Sequence, residues 1–179
     1  RVFSSNYADW RRLVYLNDAE KGWTETGVDG VLSNAYHFDV QAVPAADGAD
    51  VVAVFEQFRM VRGENQARTG VVVYPWREDG LSTHGSVVDM DAQRSDPYFR
   101  LGTGDLDGNG LTDIVAGRKG GELRVYLQTA PGTYYLERSE RLDSAGRPYD
   151  IHLRDLNGDG RDDLLISFAI RDDLPGGVR

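Results

Sequence analysis

Asp105-Leu106-Asp107-Gly108-Asn109-Gly110-Leu111-Thr112-Asp113 carries side-chain oxygens at positions 1, 3, 5 and 9, with glycine at position 6. The pattern returns fifty residues later as Asp155-Leu156-Asn157-Gly158-Asp159-Gly160-Arg161-Asp162-Asp163. A short loop built this way can wrap a hard cation. Alternate side chains turn inward, the glycine permits a sharp bend, and the carbonyl of position 7 adds another oxygen. Asp and Gly are also ordinary turn residues, so a single copy is equally a hairpin turn that holds only water. Two copies in one register, between the same kinds of strand, point to two Ca²⁺ loops.

The elements that must position these loops are strands. Short β-rich runs separated by Gly, Asn, Asp and Pro dominate the chain, and few segments show helical periodicity. Tyr98–Gly104 leads into the first loop, which exits into Ile114-Val115-Ala116-Gly117. Tyr149–Leu153 leads into the second, which exits into Leu164-Leu165-Ile166-Ser167-Phe168. An eroded third copy lies upstream, where Phe38-Asp39-Val40 passes through residues 45–49 into Asp50-Val51-Val52-Ala53-Val54. Ala42, Pro44 and Ala46 stand there in place of ligands. Its strand pair is expected to survive without a metal.

A second kind of hairpin alternates with the first. Leu13–Leu16, Val71–Tyr74 and Leu123–Leu127 each carry a tyrosine, at 15, 74 and 126, and each is followed by a Gly-bearing turn. An inner hairpin with the loop, then an outer hairpin with the tyrosine, repeats every 50–60 residues. Repeats near this length, each holding four short strands, are the sequence form of propeller blades. The expected fold is all-β, with about three blades' worth of four-stranded antiparallel sheets in an incomplete ring. Residues 1–30 form the outer half of one blade. Residues 31–90 form a blade with the degenerate loop, 91–142 a blade with loop 105–113, and 143–179 an inner half with loop 155–163. The stretch Phe55–Thr69 lengthens its blade, as a strand extension with a hairpin tip at Gly63-Glu64-Asn65 of the kind that often carries binding, or as a tolerated surface insertion. Remaining blades of a longer protein, or other copies of this chain, are expected to complete the ring. The first residue is Arg, not Met, which fits a processed or truncated N-terminus.

Composition narrows the partners. In 179 residues the net charge is −9, which argues against nucleic acid and, less strongly, against anionic membrane surfaces. No apolar run approaches the ~20 residues that span a bilayer, so no membrane insertion is expected. There is no cysteine, hence no disulfide, thiolate metal site or thiol nucleophile. His37, His84 and His152 share no ligand spacing, and no nucleophile elbow, phosphate loop or zinc signature is present. Trp10, Trp23, Trp76, Tyr134 and Tyr135 are read as blade packing, with a sugar-stacking platform as the alternative.

Gly104–Gly117 followed by Leu123–Leu127 resembles an FG-GAP/VCBS-type repeat, and Arg154–Phe168 with Leu174–Val178 is similar to the same unit. The likeness covers roughly residues 98–179, whereas 1–97 share only its hairpin rhythm. Such repeats build β-propellers in integrin α-chains and in bacterial exported and surface proteins. The resemblance implies Ca²⁺ at two structural sites. Asp105, Asp107, Asn109 and Asp113 would supply side-chain oxygens, with the carbonyl of Leu111. Asp155, Asn157, Asp159 and Asp163 would do so in the second loop, with the carbonyl of Arg161. Asp162 is expected to face solvent. Three carboxylates per loop suit Ca²⁺ better than the tight octahedron of Mg²⁺. An EF-hand is a poorer description, because Ala116 and Ile166 replace the bidentate Glu at position 12.

The functional expectation is a non-catalytic binding or scaffold segment that meets a protein or a glycan. Roughly millimolar extracellular Ca²⁺ would keep weak loops occupied, so a place outside the cell, at the cell surface or in the periplasm is expected. One alternative is the propeller scaffold of an enzyme, a polysaccharide lyase or cofactor-dependent dehydrogenase, with active residues elsewhere. Another is a lectin that completes its ring by self-assembly.

Overall fold

The computed structural model describes residues 13–18, 20, 22–27, 35–45, 48–78, 80–82, 84–92, 96–142 and 146–169. Among them there are fourteen strands and no helix. The first hairpin is β1 (Leu13–Asp18) and β2 (Gly22–Gly27). A four-stranded antiparallel sheet follows, from β3 (Ala35–Ala45), β4 (Gly48–Val61), β5 (Glu64–Tyr74) and β8 (Ser86–Asp91). The two-residue strands β6 (Trp76–Arg77) and β7 (Gly80–Leu81) form a small ribbon between β5 and β8. The second four-stranded sheet is β9 (Tyr98–Gly104), β10 (Asp113–Arg118), β11 (Glu122–Ala130) and β12 (Thr133–Arg141). β13 (Arg147–Arg154) and β14 (Asp163–Ala169) make a last hairpin. The sheets do not close into a barrel or ring, and the arrangement is that of consecutive propeller-like blades. The loop-bearing stretches join β9 to β10 and β13 to β14, the inner hairpins.

The apolar runs are continuous in β4, β5 and β10 because these central strands are covered on both faces. Val52, Val54, Val71 and Val73 of the first sheet pack with Tyr98, Leu101, Ile114, Ala116 and Tyr126 of the second. The intervening residues Ala53, Phe55, Val72 and Tyr74 form a separate cluster on the other face. Val115 and Leu123 point away from the first sheet and pack with Ile151 and Leu153 of β13. Gly102 allows this last approach, since a Cβ there would lie 2.6 Å from both Ile151 and Leu153. Side chains also bridge the first strands of successive sheets. Asp39 accepts the Leu101 N–H at 3.0 Å, and Gln41 donates to the Leu101 carbonyl at 2.7 Å.

An ionic and phenolic network ties β8 to the second sheet. The Asp89 carboxylate accepts hydrogen bonds from the Tyr98 hydroxyl (2.5 Å), the Tyr126 hydroxyl (2.6 Å) and Arg124 (2.8 Å). Burial disfavours the charge on Asp89, but these donors outweigh it and hold the carboxyl below its ordinary range. Arg118 is fully buried, 2.6 Å from Asp91, with its guanidinium 4.7 Å from the centre of the Tyr98 ring.

The eroded upstream copy keeps its strand pair, as expected from sequence. The β3–β4 ladder runs from Ala35↔Gln57 to Ala45↔Gly48, straight through the positions that a loop would occupy. The Trp76 ring covers Gly48 so closely that a Cβ would come within 2.6 Å of it. The Phe55–Thr69 stretch continues β4 and β5, the strand extension expected from sequence. Its tip is one residue earlier than expected. Arg62 and Gly63, with φ of 52° and 84°, form the turn, and Val61 pairs with Glu64. Two residues with positive φ suit the right-handed twist of a tight hairpin, so the ladder takes up Glu64 and Asn65 as strand.

Candidate metal centre

Both loops share one internal scaffold. Asp105 Oδ1 accepts the N–H of Gly108 (2.8 Å) and of Asn109 (3.1 Å), while its Oδ2 accepts that of Gly110 (2.8 Å). Asp155 does the same for Gly158 (2.6 Å) and Gly160 (2.9 Å). Gly108, Gly110, Gly158 and Gly160 all have φ near 80°, the left-handed conformation that makes glycine necessary there. The exposed Asp155 carboxyl is held below its usual range, first by the Gly160 N–H and then by that of Gly158.

Positions 3 and 5 differ by an exchange of types. In the first loop Asp107 accepts from the Asn109 side-chain amide at 3.2 Å. In the second, Asn157 donates its amide to Asp159 at 3.1 Å. Each loop thus keeps one carboxylate and one amide at this pair. The position-5 side chain also accepts the N–H of position 7. Asn109 takes that of Leu111 at 2.7 Å, and Asp159 that of Arg161 at 2.9 Å.

Position 9 anchors each loop to its sheet. Asp113 Oδ2 accepts the Leu106 N–H at 2.7 Å, and Asp163 Oδ2 accepts the Leu156 N–H at 3.0 Å. Asp113 is fully buried, and its Oδ1 accepts the Gln128 N–H at 2.8 Å. Gln128 in turn accepts the Thr112 N–H at 3.1 Å and donates to the Tyr134 hydroxyl at 3.0 Å. Burial pushes the Asp113 carboxyl up. The Gln128 and Leu106 N–H groups pull it back, and the charges of Asp107 and Asp105 push it up again.

Asp105, Asp107 and Asp113 converge, each offering a carboxylate oxygen within 4.8 Å of the others. Among the described residues no other set of three acidic or histidine side chains does so. Asp155, Asp159 and Asp163 share the scaffold but do not gather as tightly. An all-oxygen set of three carboxylates with mutual repulsion fits a hard divalent cation, and a cation there would offset that repulsion.

Two features of the site are absent from the sequence reading. Asp162 does not face solvent. Its Oδ2 accepts the Asp105 N–H at 2.9 Å, and its own N–H donates to the Asp105 carbonyl at 2.7 Å. It is placed there by the packing of β13 on β9, a contact that nothing local to residues 155–163 encodes. The second feature is Asp50, whose Oδ1 accepts the Trp76 N–H at 2.7 Å. Asp50 precedes Val51, the partner of Tyr74, just as Asp113 precedes Ile114, the partner of Tyr126. The anchor of position 9 therefore persists in the blade whose loop has eroded. The common Asp-before-apolar-run and Tyr-plus-two spacing was the available signal.

The remaining candidates are dispersed. His37 contacts the Tyr74 hydroxyl at 3.2 Å and lies against Phe55, while exposed His152 pairs with Asp150 at 2.9 Å. Trp76 and Tyr134 pack onto the blade cores. Trp10 and the Trp23 side chain lie outside the described residues.

Residues 105–166, from the first aspartate of the first loop into the strand beyond the second, fit the model of an FG-GAP-like repeat. No curated protein matches the chain. Two Asp/Asn loops with one scaffold, each joining the inner strands of a propeller-like sheet, are the features within that span, and over residues 105–166 the chain is similar to an FG-GAP-type repeat.

Proposed function

We propose that the chain is a non-catalytic binding or scaffold segment of a calcium-stabilised β-propeller that works outside the cell, at its surface or in the periplasm. Its partner would be a protein or a glycan. The convergence of Asp105, Asp107 and buried Asp113 carries this reading. Three carboxylates facing one point repel one another, and a divalent cation between them would offset that repulsion and pin β9 to β10. Asn109, Leu111 and bound water would complete the oxygen shell in the first loop. Asp155, Asn157, Asp159, Asp163 and the Arg161 carbonyl would hold a second ion. Its site is looser, so it would form on binding.

Calorimetric titration with CaCl₂ tests the proposal. The expected result is two ions per chain, with MgCl₂ at the same concentration failing to compete. Absence of Ca²⁺ heats, or equal affinity for Mg²⁺, would remove the calcium assignment.

A further inference from the structure

Asp162 joins two sites that the sequence places in separate blades. Its two hydrogen bonds, side chain and main chain, both end on Asp105, the first residue of the first loop. It sits between Arg161 and Asp163, positions 7 and 9 of the second loop. The junction is tight. A Cβ on Gly104 would lie 2.3 Å from Asp162 Oδ2, and one on Gly108 would lie 3.3 Å from Arg161 Cγ. Leu106 of the first loop packs with Leu153 and Ile151 on the strand that leads into the second.

From this junction we infer that the two loops bind Ca²⁺ with positive cooperativity, and that Asp162 is the positioning residue that couples them. The inference rests on the calcium reading above. An ion in the second loop fixes Arg161 and Asp163, and hence the backbone of Asp162 between them. Asp162 then holds the main chain of Asp105, so the first loop has less freedom to lose when its own ion arrives. Ordering of the shared segment is charged to the first ion only. Linkage requires the effect to be reciprocal, and typical couplings change affinity by about 5–150-fold.

The test is a CaCl₂ titration of the chain against a competing chromophoric chelator, resolved into two stepwise constants. The wild-type chain should take its second ion at least about fivefold more tightly than its first after statistical correction. Asp162→Ala should still bind two ions, with the coupling reduced, because only the main-chain bond to Asp105 remains. Asp162→Asn keeps an oxygen facing the Asp105 N–H and should keep the coupling, which a purely charge-based role would not allow. Two independent ions in the wild-type chain overturn the inference and leave the calcium reading intact. Coupling undiminished in Asp162→Ala overturns it as well. If Asp162→Ala does not fold, the wild-type constants and Asp162→Asn decide. No Ca²⁺ binding at all removes the calcium reading, and the inference falls with it.

Discussion

Arg118→Ala should lower the unfolding free energy by about 3–5 kcal/mol, the usual cost of removing one partner from a buried ion pair. Arg118 is fully buried, and Asp91 lies 2.6 Å from it with its side chain one-fifth exposed. Removing the guanidinium leaves Asp91 with Arg124 at 3.4 Å and strips the cation from the face of Tyr98. Because Asp91 belongs to β8 and Arg118 to β10, the loss falls on the contact between blades. Urea denaturation of Arg118→Ala, Asp91→Ala and the double variant checks this. The double variant should lose less than the sum of the singles, since each single already breaks the shared pair. Simple additivity would mean that the two residues act separately. Arg118→Met returns the apolar stem over Tyr98 without the charge, so its loss should be smaller than that of Arg118→Ala.

Asp113→Ala is the second large effect. Two backbone donors, Leu106 N–H and Gln128 N–H, lose their acceptor at a buried position. Hydrogen bonds to a charged group contribute about 1.5–3 kcal/mol each, so a loss of roughly 3–6 kcal/mol is expected without any metal. In Ca²⁺ the difference from wild type should grow further, because a ligand is lost as well. Asp50→Ala is the natural comparison. It removes the same anchor, the bond to the Trp76 N–H, from a blade with no loop. Its cost should be about 1–3 kcal/mol and should be the same in Ca²⁺ and in chelator. Thermal melts of the two variants in both conditions separate the anchoring role of position 9 from its ligand role. Equal calcium dependence in both variants would contradict the division.

The blade rhythm was legible because the central strands of the two four-stranded sheets are covered on both faces. That burial forces runs such as Val51–Phe55 and Val71–Tyr74, and their spacing follows from the repeat. The loop scaffold was legible for a related reason. Asp at position 1 and glycine at positions 4 and 6 are demanded by bonds within nine residues. What was not legible depends on distant partners. Asp162 meets Asp105 only because β13 stacks on β9, and Arg118 meets Asp91 only because two sheets face each other. Residue type and local spacing carry no record of either encounter. The hairpin tip at Arg62–Gly63 was not legible for a third reason. A non-glycine residue with positive φ is uncommon, so residue type does not mark Arg62 as a turn residue.

The most direct test is a thermal melt of the chain in excess CaCl₂ and again after chelation with EGTA. An ion at 100 times its dissociation constant stabilises the folded form by roughly 2.7 kcal/mol. For a chain of this length that corresponds to a rise of on the order of 5–10 °C for each filled loop. A higher melting temperature in CaCl₂, reversed by EGTA and not reproduced by MgCl₂, is the expected result. Superimposable curves in CaCl₂ and EGTA would contradict a calcium-stabilised propeller segment and leave the two loops as turns held by their own hydrogen bonds.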